Sequence, residues 1–456
     1  MSTVVIDLYE SGILISDGKR ILANSPACAL VDTPSDILVG NAAEKQMHLR
    51  PQDINTGFWA DLGGQSTTRH SVSHAELAQH HLQFAWSLLD RQDHDALLAV
   101  SGTLRKRELG LALGICEKLD ISVLGIVNKA VLALPGPVPE ARLVWLAVLQ
   151  ERTILSLVAQ DRKQVSASRP GRVIPYGLQS LIQAQAKWIA AAFVRETRFD
   201  PLQKGEDEQL LYERLPHWLA TLQSLESVGC ELHTEGQSHR IQLHRNEVLG
   251  INQAIFEEIA ICLSELLPDH KVAIVCSPTC NQVFGLNEFL KYLPGCATLG
   301  TDPTRIARQA LRYREQICTG DEAVHYTTTL KWDKSTRVEL LEPNSGLLAS
   351  LPNCPTHLLI GSDAWPLGEK QELQLTRDHH EIRLALDPVC NESGVCRIQK
   401  KGMRIELRHL KNYKIRLNDR RLSEPQTVQS GDRLRIDGYR NEVLFIKVQE
   451  HETSHS

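Results

Sequence analysis

Residues 97–134 read LLAVSGTLRKRELGLALGICEKLDISVLGIVNKAVLAL. The apolar run at 97–100 predicts a strand, Ser101-Gly102-Thr103 a turn, and 104–119 a long helix. A second apolar run at 123–127 predicts another strand. It meets a polar corner at Asn128-Lys129, and a further apolar helix follows. Both strands are apolar throughout, the pattern of strands buried on two faces.

The rest of the chain sets bounds on what this stretch belongs to. At 456 residues the chain exceeds a single core, so two or three domains are expected. Hydrophobic content of 42% and charged content of 23% are those of a globular protein. A net charge of −5 gives no global electrostatic case for nucleic acid. No apolar run approaches the roughly 20 residues of a membrane span. The start, Met1 to Asp7, lacks a basic region and enters a strand pattern at once, so a signal peptide is not expected and a cytoplasmic location is. The 11 cysteines are odd in number and scattered, which predicts buried reduced thiols. Cys276-x3-Cys280 and Cys390-x5-Cys396 are the close pairs, and neither has zinc-ligand spacing. His80-His81 and His379-His380 lie in polar surroundings and read as solvated.

Upstream of 97–134, short strands are expected at 4–7, 12–16 and 20–23, with a helical patch at 42–49 and a helix at 73–89. Downstream the plan repeats. Strands at 142–148, 153–159 and 164–168 precede a helix at 177–193 and a charged insertion with a helix at 208–222. A strand at 241–244, a long helix at 247–267, a strand at 271–276, a helix at 286–293 and another from Asp302 complete it. Three strands followed by alternating helices and strands, given twice, indicate a duplication with halves at 1–137 and 141–318. Beyond 319 helical periodicity stops. Short strands from 338 to 448 predict an all-β sandwich at 333–450.

This order resembles the actin-like superfamily of duplicated, ribonuclease-H-like halves in two lobes. Residues 97–134, the stretch 39–64 (VGNAAEKQMHLRPQDINTGFWADLGG) and Asp302-Pro303-Thr304 with Ala307 and Ala310 resemble the nucleotide-binding domain of the seventy-kilodalton heat-shock chaperones. The resemblance implies an ATP site built on two glycine-rich hairpins, where backbone N–H groups approach the phosphates.

The motifs of that site are altered. The first hairpin reads Asp7-Leu8-Tyr9-Glu10-Ser11 in place of Asp-Leu-Gly-Thr-Thr, so Tyr9 and Glu10 bring bulk and negative charge toward the phosphate position. The second reads Val148-Leu149-Gln150-Glu151-Arg152-Thr153 in place of Asp-Leu-Gly-Gly-Gly-Thr. The base-side motif, Gly-Gly-x-Thr-Arg in the family, is Cys276-Ser277-Pro278-Thr279-Cys280. The family's catalytic Glu of Asn-Glu-Pro is Lys129, which is expected to neutralise Asp7, Glu10 and Glu151. Mg-ATP needs oxygens around the metal and donors around the phosphates, so the expectation is a pseudo-ATPase with no cofactor. ATP and magnesium enter only on the alternative reading of an active chaperone-like protein with divergent loops.

The C-terminal part resembles a forkhead-associated domain, most closely in Gly431-Asp432-Arg433-Leu434-Arg435-Ile436-Asp437-Gly438 and in Leu417-Asn418-Asp419. The family's phosphothreonine-reading Arg is Ser362, and its supporting His is Cys396, while Ser393 is kept. The turn that reads Asn-Gly in the family is Asn412-Tyr413 or Tyr413-Lys414 here, depending on register. From Arg397 to Arg421 the chain carries ten Lys/Arg, Lys411, Lys414 and Arg416 among them, against Glu406 and Asp419. At strand spacing these are expected to line one face and attract an acidic or phosphorylated protein partner. The expected function is a non-catalytic scaffold or adaptor. The alternatives are the active chaperone-like protein and a phosphopeptide-binding signalling module.

Overall fold

The computed structural model describes residues 2–64, 71–90, 93–134, 136–138, 141–167, 171–234, 236–267, 272–291, 293, 296–299, 302–318, 324–332, 355–367, 370–375, 382–385, 394–401, 404–410, 414–418, 420–422, 424–437 and 442–446. Among these the protein is mixed α/β, with several sheets and eleven α-helices. The chain divides into two units. One comprises Met1–Asn252, Asp269–Lys291 and Gly295–Pro343, the other Gln253–Pro268, Tyr292–Pro294 and Asn344–Ser456.

Two sheets organise the first unit. In one, Thr3–Tyr9 pairs antiparallel with Gly12–Ser16, which pairs with Ile21–Pro26. On its other side Thr3–Tyr9 runs parallel to Asp95–Val100, and that strand parallel to Ser122–Asn128. In the other, Arg142–Val148 pairs antiparallel with Thr153–Gln160, which pairs with Gln164–Ala167. Its other side runs parallel to Val272–Cys276, followed by Cys296–Leu299. Over these five strands, order and sense are the same in both sheets. After residue 318 the chain returns to them: Tyr326–Thr327 joins the first and Thr329–Lys331 the second.

The apolar run at 97–100 is fully buried because it is a central strand with a core on each side. Leu98 and Val100 join Val4, Ile6, Leu77 and Ile115 in one core. Leu97 and Ala99 join Val5, Val127, Trp145 and Ala273 in a second core shared by the two sheets. The period-2 alternation of a strand makes this division. Lys106–Lys118 follows as the helix and Lys129–Leu132 as a single turn.

Three expectations are corrected. The helix at 247–267 is two helices, Arg245–Ile251 and Gln253–Leu266, separated at Asn252. The fully buried Asn252 side chain accepts from Gln185 Nε2 (3.1 Å) and donates to the carbonyl of Phe284 (2.9 Å). The helical patch at 42–49 shrinks to one turn, Asn41–Glu44. His81 is not solvated: it has no exposed surface, receives Trp59 Nε1–H on Nδ1 (2.9 Å) and reaches Ser25 Oγ from Nε2 (2.8 Å). It lies on the inward face of helix His74–Ser87, whose N-terminus is closed by a capping box between Ser73 and Glu76. His379 and His380 lie outside the described residues.

In the second unit two antiparallel sheets enclose one core. Asp363–Pro366, His357–Ile360, Val443–Ile446, Arg433–Ile436, Ile415–Leu417 and Arg420–Arg421 form the first, in that order. Ile382–Ala385, Lys370–Leu375, Gly394–Lys401, Arg404–His409 and Gln426–Val428 form the second. Leu358, Leu434, Ile436 and Phe445 from one meet Ile398, Ile405, Leu407 and Val428 from the other.

Candidate functional site

The turn of the first hairpin (Tyr9 to Gly12) and that of the second (Val148 to Thr153) converge in the first unit. Arg152 Nη2 lies 2.7 Å from Glu10 Oε1, joining the two turns directly. The Glu10 side chain is nearly buried, whereas that of Arg152 is 39% exposed.

Behind this pair, Lys129 leaves the end of strand Ser122–Asn128 and turns under the first hairpin. Its Nζ lies 2.5 Å from Asp7 Oδ1, donates to the Leu8 carbonyl at 2.6 Å and stands 3.2 Å from the centroid of the Tyr9 ring. The Tyr9 hydroxyl donates to the other Asp7 oxygen. Asn128 holds the turn by accepting from Ala130 N–H (2.9 Å). Burial pushes the Asp7 carboxyl up and the Lys129 ammonium down, and their contact opposes both shifts. Burial, then the Asp7 charge, pushes the Tyr9 phenol well up, so the phenol keeps its proton and donates.

Of the three acids expected of it, Lys129 contacts Asp7 directly, and the charge of Glu10 also acts on it. Glu10 is taken by Arg152, and Glu151 stands exposed at the tip of the second turn. Val148 is fully buried at the end of its strand. The Gln150 carbonyl accepts from Gln179 N–H (3.0 Å), and that of Leu149 from Leu178 N–H (2.9 Å). Helix Leu178–Thr197 thus spends two of its leading N–H groups, the donors that would otherwise suit an anion, on the hairpin. Gly177 allows the approach: a Cβ there would stand 2.4 Å from Arg152 N and 2.6 Å from the Gln150 carbonyl oxygen. The sequence reading missed Gly177, for which the only local signal is a glycine just before a helix.

The third motif is also internally occupied. Ser277 N–H donates to the Leu146 carbonyl (2.8 Å), Ser277 Oγ lies 2.5 Å from Thr279 Oγ1, and Cys280 Sγ lies 3.5 Å from the Leu146 carbonyl. Cys276, Ser277 and Cys280 are buried. A hydrogen bond with Cys280, with burial added, pushes the Cys276 thiol well up.

Beside the hairpins lies a cavity of about 1100 Å³, lined by Tyr9, Ser11, Gln150, Thr279 and others. Among the described residues its lining contains one lysine, Lys45, and no arginine. On one wall His48 stacks on Tyr212 with ring centroids 3.9 Å apart, and its Nδ1 lies 3.1 Å from Glu208 Oε1. Gln209 accepts from His48 N–H (3.0 Å) and donates to the Glu44 carbonyl (3.3 Å). These contacts tie the segment after Asn41 to helix Gly205–Leu222.

The sandwich residues do not assemble as expected. Ser362 is exposed in the turn after His357–Ile360. Cys396 is fully buried in the core between the two sheets. Arg397 lies in Gly394–Lys401, in the five-stranded sheet, whereas Arg416 belongs to the six-stranded one and Lys414 immediately precedes its strand Ile415–Leu417. The basic stretch is therefore divided between two sheets and does not line one face. Ser393, Lys411 and Asn412 lie outside the described residues. Among the described residues no helix is long and apolar enough to cross a membrane. No model of a known protein family matches the chain, and no curated protein matches it.

Proposed function

We propose that the chain is a non-catalytic, protein-binding scaffold: an actin-like, chaperone-type body that has lost its nucleotide site, followed by a forkhead-associated-like sandwich. The matching strand order of the two sheets supports the duplicated fold, and the two sheets around one core support the sandwich. The observation that carries the functional reading is the pairing of the hairpins with protein charges, Asp7 with Lys129 and Glu10 with Arg152. In an ATPase of this plan the same turns offer backbone donors to phosphates and a carboxylate to the metal. Here an ammonium and a guanidinium pair with the acids internally, and Glu10 adds negative charge where an anion would come. Without a nucleotide to bind there is no ligand-driven closure; the His48–Tyr212 stack, with Glu208 and Gln209, joins the two segments.

An assay of phosphate release from Mg-ATP, run with a thermal-shift measurement under the same conditions, tests this reading. The expected result is no release above buffer and no rise in Tm. Turnover abolished by substituting Asp7 would overturn it in favour of the active chaperone-like alternative.

A further inference from the structure

We infer that the outer face of the six-stranded sheet in the second unit docks an acidic, amphipathic segment of a partner protein. The inference rests on the scaffold reading and adds the chemistry of the partner.

Strand register carries the argument. Arg416 lies directly opposite Arg421 on one neighbouring strand and Arg435 on the other. Its chain neighbours Ile415 and Leu417 are buried, so Arg416, with half its side chain exposed, points outward. Neighbouring strands are about 4.8 Å apart, so three arginines stand in one row across three strands. Arg433 extends the patch two residues before Arg435 on the same face, and Lys414 two residues before Arg416. Among the described residues, the acids paired with them are Asp437, 3.6 Å from Arg416, and Glu442, 2.6 Å from Arg435. Among the described residues, two paired acids stand against five bases. Like charges placed directly opposite one another destabilise a sheet, so folding gains nothing from this row.

The same face continues into an apolar strip. Arg433 is opposite Leu444, and Leu444 opposite Leu359, both half-buried beside inward-facing neighbours. Arginines bordered by leucines suit a segment that carries carboxylates on one side and apolar side chains on the other. A nucleic acid would want aromatic stacking platforms beside the bases, and the described positions in the register with these arginines supply leucines instead.

The test uses the full chain and a fluorescein-labelled peptide alternating glutamate and leucine, with binding read by anisotropy. The expected result is saturable binding that weakens with salt. Arg416→Glu should lower affinity by about tenfold or more, as reversal of a contacting charge does. Arg416→Gln should lower it less, without lowering Tm, which separates lost binding from lost folding. Arg162→Glu, an exposed arginine in the first unit, should bind as wild type. No binding, or equal binding by Arg416→Glu and wild type, would overturn the inference. So would oligothymidylate binding as tightly as the peptide, which would make the face a polyanion site. Failure here with no turnover of Mg-ATP sinks the partner chemistry alone; turnover of Mg-ATP sinks the scaffold reading.

Discussion

Lys129 Nζ is 2.5 Å from Asp7 Oδ1, an ion pair across 122 positions of sequence with both side chains almost wholly out of solvent. Breaking a buried pair from one side strands a charge, which costs about 3–5 kcal/mol, while removing both partners costs far less. Lys129→Met should therefore lower unfolding free energy by about that amount. Asp7→Asn combined with Lys129→Met should recover most of it. Urea unfolding of the set measures the coupling, and additive losses would show that the pair is not a unit. Lys129→Glu should be worse than Lys129→Met, because it sets two carboxylates together.

The Glu10–Arg152 pair should be worth less. Arg152 is partly exposed, so water screens its charge, and Arg152→Ala should cost about 1 kcal/mol. A double-mutant cycle with Glu10→Gln checks this. A coupling as large as that of Lys129 with Asp7 would contradict the ordering.

Gly177→Ala should destabilise the protein by about 1–3 kcal/mol, the range for overpacking, because the atoms in the way are backbone and cannot swing aside. Hydrogen exchange localises the effect. The amides of Leu178 and Gln179 should lose protection first, since their partners are the carbonyls of Leu149 and Gln150.

Burial pushes the His81 imidazole down from 6.5 to about 4, with Ser25 opposing. Below pH 6.5 the unfolded chain takes up a proton that the folded one refuses until about pH 4. The contribution is present in full above 6.5 and is lost as pH falls through this window, to about 3 kcal/mol. Denaturant unfolding at pH 7.5 and pH 4.5 should show the loss in wild type and a smaller one in His81→Gln. Equal losses would place the pH dependence elsewhere.

The elements most legible in the sequence were those with a local signature. The unbroken apolar runs at 97–100 and 143–148 read as buried strands, and the apolar spacing of Leu77, Leu82, Ala85 and Leu88 read as a helix. Strand Ser227–Thr234 was missed because Gly229 and alternating polar residues hide it, and Cys296–Leu299 because it is four residues long. Asn252 divides two helices through contacts with Gln185 and Phe284, which no local pattern reports. His81 was legible and misread: with Leu77 and Ala85 it makes an i, i+4, i+8 stripe that faces the core. That positions 9–10 and 150–152 hold no glycine could be read directly. The pairing of their side chains could not, because Arg152 reaches Glu10 from 142 residues away. The division of the basic stretch between two sheets likewise depends on register, which a list of charges does not contain.

The central claim, that protein charges occupy the place of nucleotide and metal, is tested most directly by isothermal titration of the full chain with ATP in the presence of magnesium. The account predicts only heat of dilution. A saturable heat that disappears on chelation of magnesium would contradict it.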